Sequence, residues 1–119
     1  PTGKTVDNVG NKDTSDNKNQ QIVSDIDSVI TNLENLIKSK DFTNLTVRKR
    51  GLNNVKTKLD NLSSKDKNNK NTYQSIRKEL SNEKVENSKS NDVKNIINSQ
   101  INKLNKIKHN YENNNNRTR

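Results

Sequence analysis

The residues best suited to chemistry in this chain are cations, and they are densest at Val47-Arg48-Lys49-Arg50-Gly51. Three adjacent positive side chains repel one another, so such a run carries a cost unless something negative meets it. Arginine suits that encounter. Its planar guanidinium fork bonds a carboxylate through two parallel N–H donors, whereas lysine offers a compact point charge. The chemical reading of the run is therefore an acidic partner, with Lys40 a short distance upstream as a further cation.

Other chemistries lack their parts. His109 is the only histidine and there is no cysteine, so a zinc site needs carboxylates converging on one imidazole near the chain end. His109 reads instead as an exposed spacer. A Ser-His-Asp set has no suitable histidine, and the three glycines form no phosphate-cradling loop. Glu79 and Glu83 stand one helical turn apart but are flanked by Lys78 and Lys84, which reads as a solvated face. Asn44-Leu-Thr46, Asn61-Leu-Ser63 and Asn116-Arg-Thr118 match the glycosylation pattern, as chance allows in so asparagine-rich a chain. Tyr73 and Tyr111 fit seam positions better than base-stacking ones, and three aromatic residues are few for a nucleic-acid platform. The expectation is a binding protein and not an enzyme, with no cofactor, no metal and no small-molecule substrate.

Something must hold the cations in place. Ile22, Ile26, Val29, Leu33 and Leu36 are spaced 4, 3, 4, 3, which is one stripe of an α-helix. Val23, Ile30 and Ile37 widen it. This predicts a founding helix over 19–38, with Asp25, Asp27 and Glu34 on its outer face. A connector follows over 39–44, in which Asp41 or Thr43 is a candidate cap and Phe42 a candidate plug for one end of the core. Leu45, Leu52, Val55, Leu59 and Leu62 predict a second helix over 45–62, with Arg48 near the same face. Gly51 within it costs about 1 kcal/mol relative to alanine and marks a kink or a late helix start. After a polar loop over 63–71, Tyr73, Ile76 and Leu80 predict a weak third helix over 72–87, in which Val85 is out of phase. Ser90 or Asn91 then caps a fourth helix, whose stripe is Val93, Ile97, Ile101, Leu104 and Tyr111, flanked by Ile96 and Ile107.

The fold predicted is all-α: a small antiparallel bundle of about four helices with flexible ends. Residues 1–20 are expected to be a flexible arm, 21–111 the bundle and 112–119 a flexible tail. Hydrophobic residues make up only 24% of the 119, so one narrow seam is all that such a chain can bury. Charge is unevenly spread. Residues 42–70 carry +6 and 90–119 carry +4, against −2 over 21–41, within a total of +9. No apolar run is long enough to cross a bilayer and no signal peptide is visible. Pro1-Thr2-Gly3 reads as the remnant of an excision, so a longer parent protein is expected, and the domain itself is expected to be monomeric.

Three segments, DIDSVITNLENLIKSKDF, TVRKRGLNNVKTKLDNL and NDVKNIINSQINKLNKIKHNYENN, together with the basic run, resemble the fibronectin-binding surface lipoproteins of Borrelia. The resemblance implies a C-terminal helical bundle that binds the host complement protease C1r and inhibits the classical complement pathway, a role in immune evasion. It implies a location at the cell surface, as an outer-membrane lipoprotein, or secretion. It also implies that a basic side chain near the first inter-helix connection enters the protease's specificity pocket. Lys40, Arg48, Lys49 and Arg50 are the cations near that connection here. Two other classes remain open: a basic adhesin for an extracellular-matrix protein or an acidic host polymer such as a glycosaminoglycan, and an intracellular nucleic-acid or protein scaffold.

Overall fold

The computed structural model describes the backbone of residues 9–117 and the side chains of residues 18–113. Five helices and no strand occur among them: α1 (Val9–Lys38), α2 (Leu45–Lys65), α3 (Lys70–Leu80), α4 (Glu83–Asn87) and α5 (Asp92–Arg117), with a 3₁₀ turn at Lys67–Asn69. The bundle is all-α, as the periodicity predicts. It is also long and narrow, 56 × 23 × 19 Å, which suits a chain with enough apolar residues for one seam.

The stripes are in the predicted phase. Ile22, Ile26, Val29, Leu33 and Leu36 of α1 are buried against α2 and α5. Leu52, Val55, Leu59 and Leu62 of α2, and Val93, Ile97, Ile101, Leu104 and Ile107 of α5, complete the core. Phe42 is buried and closes the connector end. Leu33 has no exposed surface and Ile101 only 5%. Leu33→Ala and Ile101→Ala are each expected to destabilise the domain by about 2–5 kcal/mol, a large part of a small domain's whole stability. Thermal unfolding followed by circular dichroism checks this. An unchanged midpoint for either variant would place that residue outside the seam.

Three local expectations are corrected. First, the third helix is two. A continuous helix from Leu80 would carry Val85 well off the stripe. The chain leaves helical geometry at Ser81 and Asn82 instead, and the Asn82 side chain caps α4 by accepting from the Lys84 N–H at 2.9 Å. The restart returns Val85 to the core, fully buried. Second, the cap of α2 is Asn44, not Asp41 or Thr43. Its Oδ1 accepts from the N–H groups of Thr46 and Val47 at 3.1 and 3.3 Å. Residues 41–43 are still in the connector turn, so their side chains precede the orphan donors. At the other predicted cap, Ser90 Oγ accepts from Asp92 N–H at 3.1 Å. Third, helix runs into both expected arms. Residues 9–20 and 112–117 are helical. The rest of those two arms, residues 1–8 and 118–119, lies outside the described residues.

Gly51 makes no kink, for α2 is continuous through it. A Cβ there would stand 3.2 Å from Leu36 Cδ1, so the missing side chain lets α1 and α2 approach closely beside the basic run.

Candidate functional site

The connector end of the bundle gathers the 39–44 turn, the first turns of α2 and the chain from α4 into α5. The phase of α2 decides what its cations do there. Reading back from Leu62 through Leu59, Val55 and Leu52, the next position of the stripe is Arg48. Its side chain is accordingly turned inward, with no exposed surface. Nε donates to Phe42 O at 2.9 Å, and Nη1 donates to Val85 O at 3.2 Å and to Ser88 O. The guanidinium stacks on the Phe42 ring, 4.1 Å from its centroid. Arg48 thus ties the connector to the end of α4. Burial disfavours its charged form and lowers its pKa from the ordinary arginine value.

This removes Arg48 from the partner-binding set. The four cations that sequence brings near the connection are divided by the helix: Arg48 points into the core, while Lys40, Lys49 and Arg50 are exposed. Among the described residues, none of these three enters an ion pair. Arg50 lines an open groove of about 320 Å³ between α1 and α2, with Asn35, Leu36, Ser39, Val47 and Gly51. Lys40 stands on the connector turn and Lys49 on the outer face of α2. The arrangement offers separate cations beside a shallow groove, where a carboxylate can be met without first breaking an internal pair.

Sequence reasoning missed two features of this end. Lys94 of α5 has its Nζ 5.2 Å from the Phe42 ring centroid, opposed in sequence but joined in space to the Arg48 stack. Lys56 of α2 bonds Glu86 of α4 at 2.9 Å and holds the short helix down. Neither has a local sequence signal, because both depend on where the chain returns after Asn82.

At the opposite end, Asp66 lies buried in what the sequence shows as a polar loop. It accepts from Tyr73 O–H at 2.6 Å, Tyr111 O–H at 2.5 Å and Asn69 Nδ2 at 2.9 Å. The signal was present: Leu59, Leu62 and Asp66 continue one stripe. Burial, then the bond to Asp66, push both tyrosine hydroxyls up from their ordinary pKa of 10.0. A raised pKa on an acid means stability that is whole below the unfolded value and is lost as pH rises beyond it. The expectation is that tyrosinate absorbance stays silent above about pH 10 until the chain unfolds. Titration of either tyrosine near 10 in the folded domain would contradict the buried cluster.

No helix among the described residues is long and apolar enough to cross a membrane. No protein-family model, curated protein or solved structure matches the chain.

Proposed function

We propose that this domain is a binding module that meets an acidic site on a host protein with the cations at its connector end, and that the partner is the complement protease C1r. The observation that carries the reading is the set of three exposed cations, Lys40, Lys49 and Arg50, with no carboxylate partner among the described residues and a groove beside one of them. The identity of the partner comes from the resemblance to the Borrelia lipoproteins, carried by segments of this chain that span the C-terminal part of α1 and most of α2 and α5. No large hydrophobic side chain is exposed among the described residues, so recognition at this end rests on charge and hydrogen bonding.

The secondary structure supports this mode of inhibition. A trypsin-like protease holds a carboxylate at the base of its primary pocket and takes arginine or lysine there. Arg50 is delivered from within α2, whose backbone is hydrogen-bonded along its length. A helix cannot offer its peptide bond in the extended form that a protease cleaves, so the pocket is filled without turnover. The rigid mount also lowers the entropy cost of binding. In this reading the domain sits on a cell surface and protects the cell that bears it from complement.

Capture from serum on the immobilised domain, with the bound proteins identified by mass spectrometry, tests the proposal. C1r is expected among the main captured proteins. Its absence from the captured set would remove the protease reading and leave the partner to be named by what is captured instead.

A further inference from the structure

The end of the bundle away from the basic run carries a second polar feature. A half-open hollow of about 550 Å³ lies where α1, the end of α2 and α5 converge. Lys18 and Asn19 line it from α1, Ser64 and Lys65 from α2, and Lys67 and Asn68 from the 3₁₀ turn. The fold therefore brings three lysines, two amides and a hydroxyl from distant parts of the chain to one concave place. Ile22, Asp66 and Tyr111 also line it, and three donors bond the two oxygens of Asp66. Lys65 is oriented by Asp25 at 2.9 Å, while Lys67 enters no ion pair among the described residues.

We infer that this hollow is a binding site for a compact polyanion bearing sulfate or phosphate ester groups. Asp66 keeps its oxygens occupied by Tyr73, Tyr111 and Asn69, and its single negative charge is outnumbered by the three lysines that line the hollow. The lining offers ammonium, amide and hydroxyl donors, which is the donor set an oxyanion needs. Its volume suits a ligand about the size of a substituted sugar ring. Other hollows, such as the one at Lys84, are lined by one or two lysines, whereas three converge here, so a ligand meets several cations at once.

Isothermal titration calorimetry on the full chain tests it, with inositol hexakisphosphate as the phosphate-ester probe and sucrose octasulfate as the sulfate-ester probe. At least one is expected to bind saturably at a single site, and the tighter of the two names the ester. Lys67→Gln and Lys18→Gln are each expected to weaken that binding roughly ten-fold, the loss of about one charge-assisted contact. Lys78→Gln, on the exposed face of α3, is the control and is expected to leave it unchanged. Circular dichroism confirms that each variant is folded. Failure of both probes to bind at low salt overturns the inference. So does an equal loss in Lys78→Gln, which would mean diffuse attraction by net charge. Neither result bears on C1r binding, because the hollow and the connector end are at opposite ends of the bundle.

Discussion

Arg48→Ala is expected to destabilise the domain by about 3–5 kcal/mol, since it strands more than one buried carbonyl at about 1–3 kcal/mol each. The argument rests on what the guanidinium leaves behind. Phe42 O, Val85 O and Ser88 O each accept from it, and all belong to stretches where no helix ladder replaces the donor. A buried acceptor without a partner costs about 1–3 kcal/mol. The Phe42 ring also loses the cation stacked 4.1 Å from its centroid. Small domains hold only about 5–15 kcal/mol in all, so this variant approaches global unfolding. Arg48→Lys is expected to recover little, because a single ammonium cannot span three carbonyls and a ring face. Urea unfolding followed by circular dichroism measures both variants. A midpoint for Arg48→Ala equal to that of the unaltered domain would mean that Arg48 is not the staple the geometry describes.

The second large effect concerns binding. If C1r is the partner, one of Lys40, Lys49 and Arg50 should dominate, and the planar fork of arginine favours Arg50. Truncating one member of a desolvated charge pair costs about 2–5 kcal/mol, a loss of affinity from roughly thirty-fold to several-thousand-fold. Cations outside the pocket remain in water, where screening holds their contribution to about 1 kcal/mol or less. Lys78→Ala is expected to fall in that second class. Surface plasmon resonance against purified C1r, one alanine substitution at a time, gives the ranking. Equal small losses at every cation would instead describe a polyanion-binding surface, whose affinity falls steeply with salt.

The helices and their buried faces were legible in the sequence because apolar residues recur at 3.6-residue spacing wherever burial is needed. Ile22 to Leu36 and Val93 to Leu104 show it in full. The same periodicity also held the fate of Arg48, which stands at the stripe position before Leu52, and of Asp66, which stands after Leu62. A charged residue on a stripe is easily read as an interruption, yet here each caps one end of the apolar seam with hydrogen bonds. The break at Ser81 and Asn82 was foreshadowed only by the phase slip at Val85. Contacts across the chain, such as Lys56 with Glu86 and Lys94 with Phe42, left no local trace. They are set by tertiary packing, not by spacing within one segment.

The proposed function requires that a cation at the connector end occupy the specificity pocket of C1r. Cleavage of a small arginine-containing substrate by purified C1r, measured at increasing concentrations of the domain, tests it most directly. Competitive inhibition is predicted, with Arg50→Ala inhibiting far less than the unaltered domain and Lys78→Ala inhibiting equally well. Full C1r activity at saturating domain, or inhibition that does not compete with the small substrate, would contradict occupation of the pocket.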